Sequence, residues 1–68
     1  ITDNGLELVP KIRELILLNN NNITNAGIKH IPDIRDLRIY NNNHITREIL
    51  ESIPNIKTFI LNGTTYTT

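Results

Sequence analysis

A single 22-residue unit, written three times, constrains this chain more than any other feature. The copies run from Ile1 to Asn22, from Ile23 to His44 and from Ile45 to Tyr66. The first two agree at ten positions: the opening Ile-Thr, then Gly, Pro, Ile, Arg, Leu and three Asn. The third keeps Ile45-Thr46, Ile53-Pro54 and Ile56 and then diverges. A fixed period of this length specifies a stack of similar coils, each too small to bury its own apolar face. The expected architecture is an α/β solenoid, with residues 1–68 one segment of a longer array. The missing initiator Met, and an opening already in register with the repeat, point the same way.

The second copy shows how one coil is built. Thr24 is an N-cap residue whose hydroxyl can accept from an orphan helical N–H. The spacing predicts a helix over Asn25 to Ile31, with Ile28 and Ile31 on one face. Pro32 ends it, because proline lacks a donor and disfavours helix in the residue before it. Pro10 and Pro54 repeat that stop. After the proline the period changes to alternation, Leu37 and Ile39 inward, Arg38 and Tyr40 outward, which reads as a short strand with one buried face. Glu14 to Leu18 and Thr58 to Asn62 are its equivalents. Stacked in parallel about 4.8 Å apart, these strands make a sheet along one side of the coil, with the helices on the other. Asn20 and Asn42 fall where the chain turns off the strand. Buried there, they can bond the main chain of their own loop and of the next coil, forming a ladder. The other asparagines suit solvent-facing turns, since Asn tolerates left-handed backbone.

The segments Ile12-x-x-Leu15-x-Leu17-x-x-Asn20-x-x-Ile23-Thr24 and Ile34-x-x-Leu37-x-Ile39-x-x-Asn42-x-x-Ile45-Thr46 resemble the leucine-rich repeat signature. The opening Ile-Thr-Asp-x-Gly-Leu resembles its cysteine-containing subclass, with Asn20 and Asn42 standing where that subclass has Cys. The resemblance covers nearly the whole chain. It implies a protein-interaction module and, through the F-box-type receptors in which that subclass is common, substrate recognition in a ubiquitin ligase. A structural accessory or scaffold segment of a larger assembly is the alternative, and a small-GTPase regulator is a third. The third copy departs from the pattern: its ladder position is Thr64, and Thr67 occupies the phase of Ile23 and Ile45.

The pattern assigns the core to Ile1, Leu6, Val9, Ile12, Leu15, Leu17, Ile23, Ile28, Ile31, Ile34, Leu37, Ile39, Ile45, Leu50, Ile53, Ile56, Phe59 and Leu61. Three coils stand near the lower limit for independent stability. The outward strand positions are Glu14, Ile16, Leu18, Asp36, Arg38, Tyr40, Thr58, Ile60 and Asn62, and these are the expected partner-binding residues. Ile16, Leu18, Tyr40 and Ile60 would surround Arg38 with exposed apolar surface of the kind that marks partner sites. β-Propensity alone is the competing explanation. Arg13, Arg35 and Lys57 form a basic column beside an acidic column of Glu14 and Asp36, and mutual charge compensation is expected between them.

Composition narrows the partners. Seven acidic and seven basic residues leave no net charge, which argues against nucleic acid. No apolar run reaches the roughly 18 residues that span a bilayer, so no membrane role is expected. The absence of Cys excludes disulfides and thiolate metal sites and fits a cytoplasmic or other intracellular compartment. His30 and His44 fall at different phases, so neither a metal nor a cofactor is expected. No nucleophile motif or phosphate-cradling loop appears, and the chain is not expected to be an enzyme. The expected partner is a protein or peptide, together with flanking repeats or a larger complex.

Overall fold

Strand pairing follows the sequence unit. The structure is a computed structural model and describes residues 2–66. Its elements are α1 (Asp3–Leu6), β1 (Glu14–Leu18), α2 (Asn25–Ile28), β2 (Asp36–Tyr40), a 3₁₀ helix (Arg47–Glu51), β3 (Thr58–Leu61) and β4 (Thr64–Tyr66). The strands make one open mixed sheet in the order β1-β2-β3-β4. β1, β2 and β3 are parallel, with Glu14 beside Asp36 and Asp36 beside Thr58, so equivalent positions of the three copies lie side by side. β4 runs antiparallel to β3. The result is a small α/β fold with few helical residues, 27 × 24 × 17 Å along its principal axes.

The helical segments are shorter than the apolar spacing predicts. Thr2 and Thr24 do cap them, accepting from Gly5 N at 3.4 Å and Ala26 N at 3.2 Å. α2 nevertheless ends at Ile28, and the chain goes on to Ile31 through tighter i→i+3 bonds, His30 N to Gly27 O and Ile31 N to Ile28 O. Pro32, with no N–H, cannot extend a helix. α1 and α2 pack closely because Gly27 has no side chain. A Cβ there would run into the Asp3 carboxylate and lie 3.1 Å from the Asp3 Cα. Ile49 holds the Gly27 phase in the third copy, and there the segment is a 3₁₀ helix whose N-cap, Thr46, makes no side-chain cap bond.

The core lies between the sheet and the helical segments. Leu17, Leu37, Ile39, Phe59 and Leu61 reach it from the strands, and Leu6, Ile28, Ile31, Ile49 and Ile53 from the opposite side. Four expected core residues differ. Val9 is exposed, and Ile12 and Leu15 are only half-buried, because they belong to the copy at the β1 edge of the sheet. Leu50 is half-buried and Ile49 takes its place inside, since a 3₁₀ helix turns about 120° per residue and rotates the inward face. Ile1 and Thr67 lie outside the described residues.

The third strand ends one residue early, at Leu61. Asn62 and Gly63 both have positive φ, 50° and 88°, as a two-residue hairpin turn needs. The turn sends β4 back along β3 and stacks the Tyr66 ring on Phe59, with centroids 5.4 Å apart. Among the described residues no helix is long and apolar enough to cross a membrane.

Candidate functional site

Alternation in each strand puts odd-numbered residues of β1, β2 and β3 toward the core, and most of the expected binding residues on the outer face. Register then assembles them into cross-strand rows. Glu14, Asp36 and Thr58 form one row; Ile16, Arg38 and Ile60 form the next; Leu18 and Tyr40 form the third. Ile16 and Leu18 are 61% and 65% exposed, so this apolar surface is open to solvent. Arg38, Tyr40, Asp36, Thr58 and Ile60 are half-buried among their neighbours, and Glu14 is exposed.

The Arg38 guanidinium is held in a fork. Its Nε donates to Asp36 Oδ1 at 3.0 Å and its Nη2 to Asp36 Oδ2 at 3.3 Å. Hydrogen bonding and charge from Asp36, with smaller contributions from Tyr40 and Glu14, raise the Arg38 pKa above its ordinary value. Raised from a value that is already strongly alkaline, the guanidinium keeps its charge across the ordinary pH range. A two-point clamp orients the guanidinium and leaves further N–H groups for a partner.

The expected compensation between charge columns does not occur. Among the described residues the ion pairs are Arg38–Asp36 and a longer His30–Glu7 contact at 3.8 Å. Neighbours in a strand point to opposite faces, so Arg35 and Asp36 turn away from one another, whereas Asp36 and Arg38, two apart, meet. Arg13, Arg35 and Lys57 are exposed.

The asparagine positions organise the rim of this face. Asn42 is fully buried. Its Oδ1 accepts from His44 N at 2.7 Å and Ile45 N at 2.9 Å, and its Nδ2 donates to Asn20 O at 2.6 Å and Ile23 O at 2.9 Å. It thus ties the loop that follows β2, residues 42–45, to the equivalent loop that follows β1, residues 20–23. Asn20 is half-buried and accepts from Asn22 N at 2.8 Å. Asn62, expected on the binding face, lies beyond β3, where its side chain is engaged with the main chain of Asn42: Oδ1 accepts from Asn42 N at 3.1 Å and Nδ2 donates to Asn42 O at 2.8 Å. Thr64, the expected ladder position, is exposed on β4. Asn19 and Asn41 have positive φ of 55° and 58° and join through their side chains.

Thr65 is an outer-face residue that strand periodicity alone misses, since β4 sets it beside Ile60. The available signal was Asn62-Gly63, a strong short-range hairpin dipeptide. A groove of about 190 Å³ between α2 and the 3₁₀ helix, lined by Asn25, Lys29, Glu48, Ile49, Glu51 and Ser52, lies on the opposite side of the molecule. No protein-family model, curated protein or solved structure matches the chain.

Proposed function

We propose that the chain is a leucine-rich-repeat-type segment whose outer sheet face is the concave docking surface for a protein or peptide. The carrying observation is the juxtaposition of exposed Ile16 and Leu18 with Tyr40 and an Arg38 already clamped by Asp36. Apolar contact supplies affinity in such a patch, and an oriented guanidinium supplies direction. Substrate recognition within an intracellular ubiquitin-ligase receptor is the specific form that the resemblance implies. The test is affinity capture with the intact protein and with Tyr40→Ala plus Arg38→Glu, after circular dichroism has matched the two folds. Loss of the same partners in the double variant supports the reading; their retention overturns it. A scaffold role is the second reading, favoured by the exposed Leu8 and Val9, which lie away from the outer strand face. Under it the chain gains stability on assembly and the double variant changes nothing.

A further inference from the structure

The two ends of the sheet are finished differently. At β4, Tyr66 covers Phe59. At β1 the apolar residues are left open: Leu8, Val9, Ile16 and Leu18, all in the first copy, are the exposed large hydrophobic residues among those described. Val9 is 41% exposed, whereas its equivalents Ile31 and Ile53 are both 0% exposed.

What covers those equivalents is visible inside the molecule. Two contacts join each copy to the one before it, and a third, at Gly27, is added at the first junction. Arg13 O accepts from Arg35 N and Asp36 N at 2.8 and 3.0 Å, and Arg35 O accepts from Lys57 N and Thr58 N at 2.7 and 3.0 Å. Asp3 accepts from Thr24 N at 2.8 Å and from its hydroxyl at 2.6 Å; Asn25 likewise accepts from Thr46 N at 3.0 Å and donates to its hydroxyl oxygen at 2.9 Å. Gly27 leaves the space into which Asp3 fits. The first copy carries the same set on its outer side: the N–H groups of Arg13 and Glu14 on the β1 edge, Thr2 at the N-cap, and Gly5 at the phase of Gly27.

We infer that the β1 face is a docking site for one more coil of the same pattern, continuous with this array and parallel to β1. That coil presents a main-chain carbonyl to Arg13 and Glu14, and an Asp or Asn side chain over Gly5 to Thr2. Continuity with the two internal junctions carries the assignment. A second copy of this chain cannot supply such a face head-to-tail. Its far edge is the reversed strand β4, and the position equivalent to Asp3 and Asn25 is Arg47, a cation that cannot accept from Thr2. The inference rests on the stacked-coil part of the proposed function; Ile16 and Leu18 also belong to the outer face, whereas Val9, Thr2 and the edge N–H groups of Arg13 and Glu14 do not.

The test places an additional copy of Ile1–Asn22 directly ahead of Ile1 and follows amide exchange at Glu14, Ile16 and Leu18, whose N–H groups lie on the open edge. We expect exchange there to slow by about tenfold or more, as edge amides become ladder amides. The protection of Ile16 and Leu18 should be lost with Glu14→Pro, which removes an open-edge N–H, while the same substitution in the 68-residue chain leaves its circular dichroism unchanged. An extra copy inserted between Asn22 and Ile23 establishes that a fourth coil can fold. Protection of the inserted coil without protection of Glu14, Ile16 and Leu18 in the leading fusion overturns the inference. So does a doubled mass of the 68-residue chain through its β1 edge, lost with Ile16→Lys. Both results leave the Tyr40 and Arg38 experiment unaffected.

Discussion

Asn42 is the side chain on which most main-chain groups depend. It satisfies two N–H groups and two carbonyls, and the bonds to Ile23 O and Ile45 N are fully buried. Asn42→Ala strands these groups, and a stability loss on the order of 3 kcal/mol is expected by urea denaturation, since each buried unpaired group costs about 1–3 kcal/mol. Asn42→Asp should be comparably damaging although it is nearly isosteric. A carboxylate can still accept from His44 and Ile45 but has nothing to donate to Asn20 O and Ile23 O. A variant as stable as the parent would show that the amide donors contribute little. Asn20 and Asn42 are legible in the sequence because they recur at one phase. Asn62 is not: the turn at Gly63 displaces the third copy from register, and a residue out of phase takes over the tie to Asn42. Periodicity locates a role only while the backbone keeps the period.

The same limit governs the elements. Strands β1 to β3 follow from alternation and proline punctuation almost to the residue, because one face is buried and a slip would turn every side chain over. The helical side is less legible, since four residues of helix offer too little periodicity to fix an inward face. Gly27 is informative there. Gly27→Ala is expected to destabilise by about 1–3 kcal/mol through overpacking against Asp3, although alanine is the better helix former. The third copy shows the alternative, with Ile49 inside and a 3₁₀ helix around it. The closing hairpin gives a second prediction. Gly63→Ala, at φ 88°, should cost about 1 kcal/mol. Tyr66→Ala should cost about 1–2 kcal/mol, with amide exchange accelerating first in β3, because the ring pair over Phe59 is lost.

The three copies share one core instead of holding three separate ones, so the molecule should unfold in a single transition. In a Tyr40→Phe background, which leaves Tyr66 as the one tyrosine, far-ultraviolet circular dichroism and tyrosine fluorescence, reporting on the whole and on the β4 end, are expected to give the same midpoint in urea. A lower midpoint for Tyr66 would mean that the hairpin frays independently. The β1 edge carries no proline, lysine or bulge within the strand, and so lacks the usual guards against edge pairing. Ile16→Lys should raise solubility while changing stability by less than about 0.5 kcal/mol, because the side chain is already in water. The repeat shows the third copy departing from the pattern at Thr64, but periodicity alone does not show that β4 turns back along β3.

The reversal at Asn62-Gly63 also bears on how such a chain could change length over generations. A tandem duplication of one 22-residue unit in the coding sequence, joined between Asn22 and Ile23, would add a strand and a helical turn in the interior. The β3–β4 hairpin and its tyrosine would be inherited untouched. Gain or loss of one whole unit at that junction would lengthen or shorten the parallel part of the sheet and leave the β3–β4 pairing as it is.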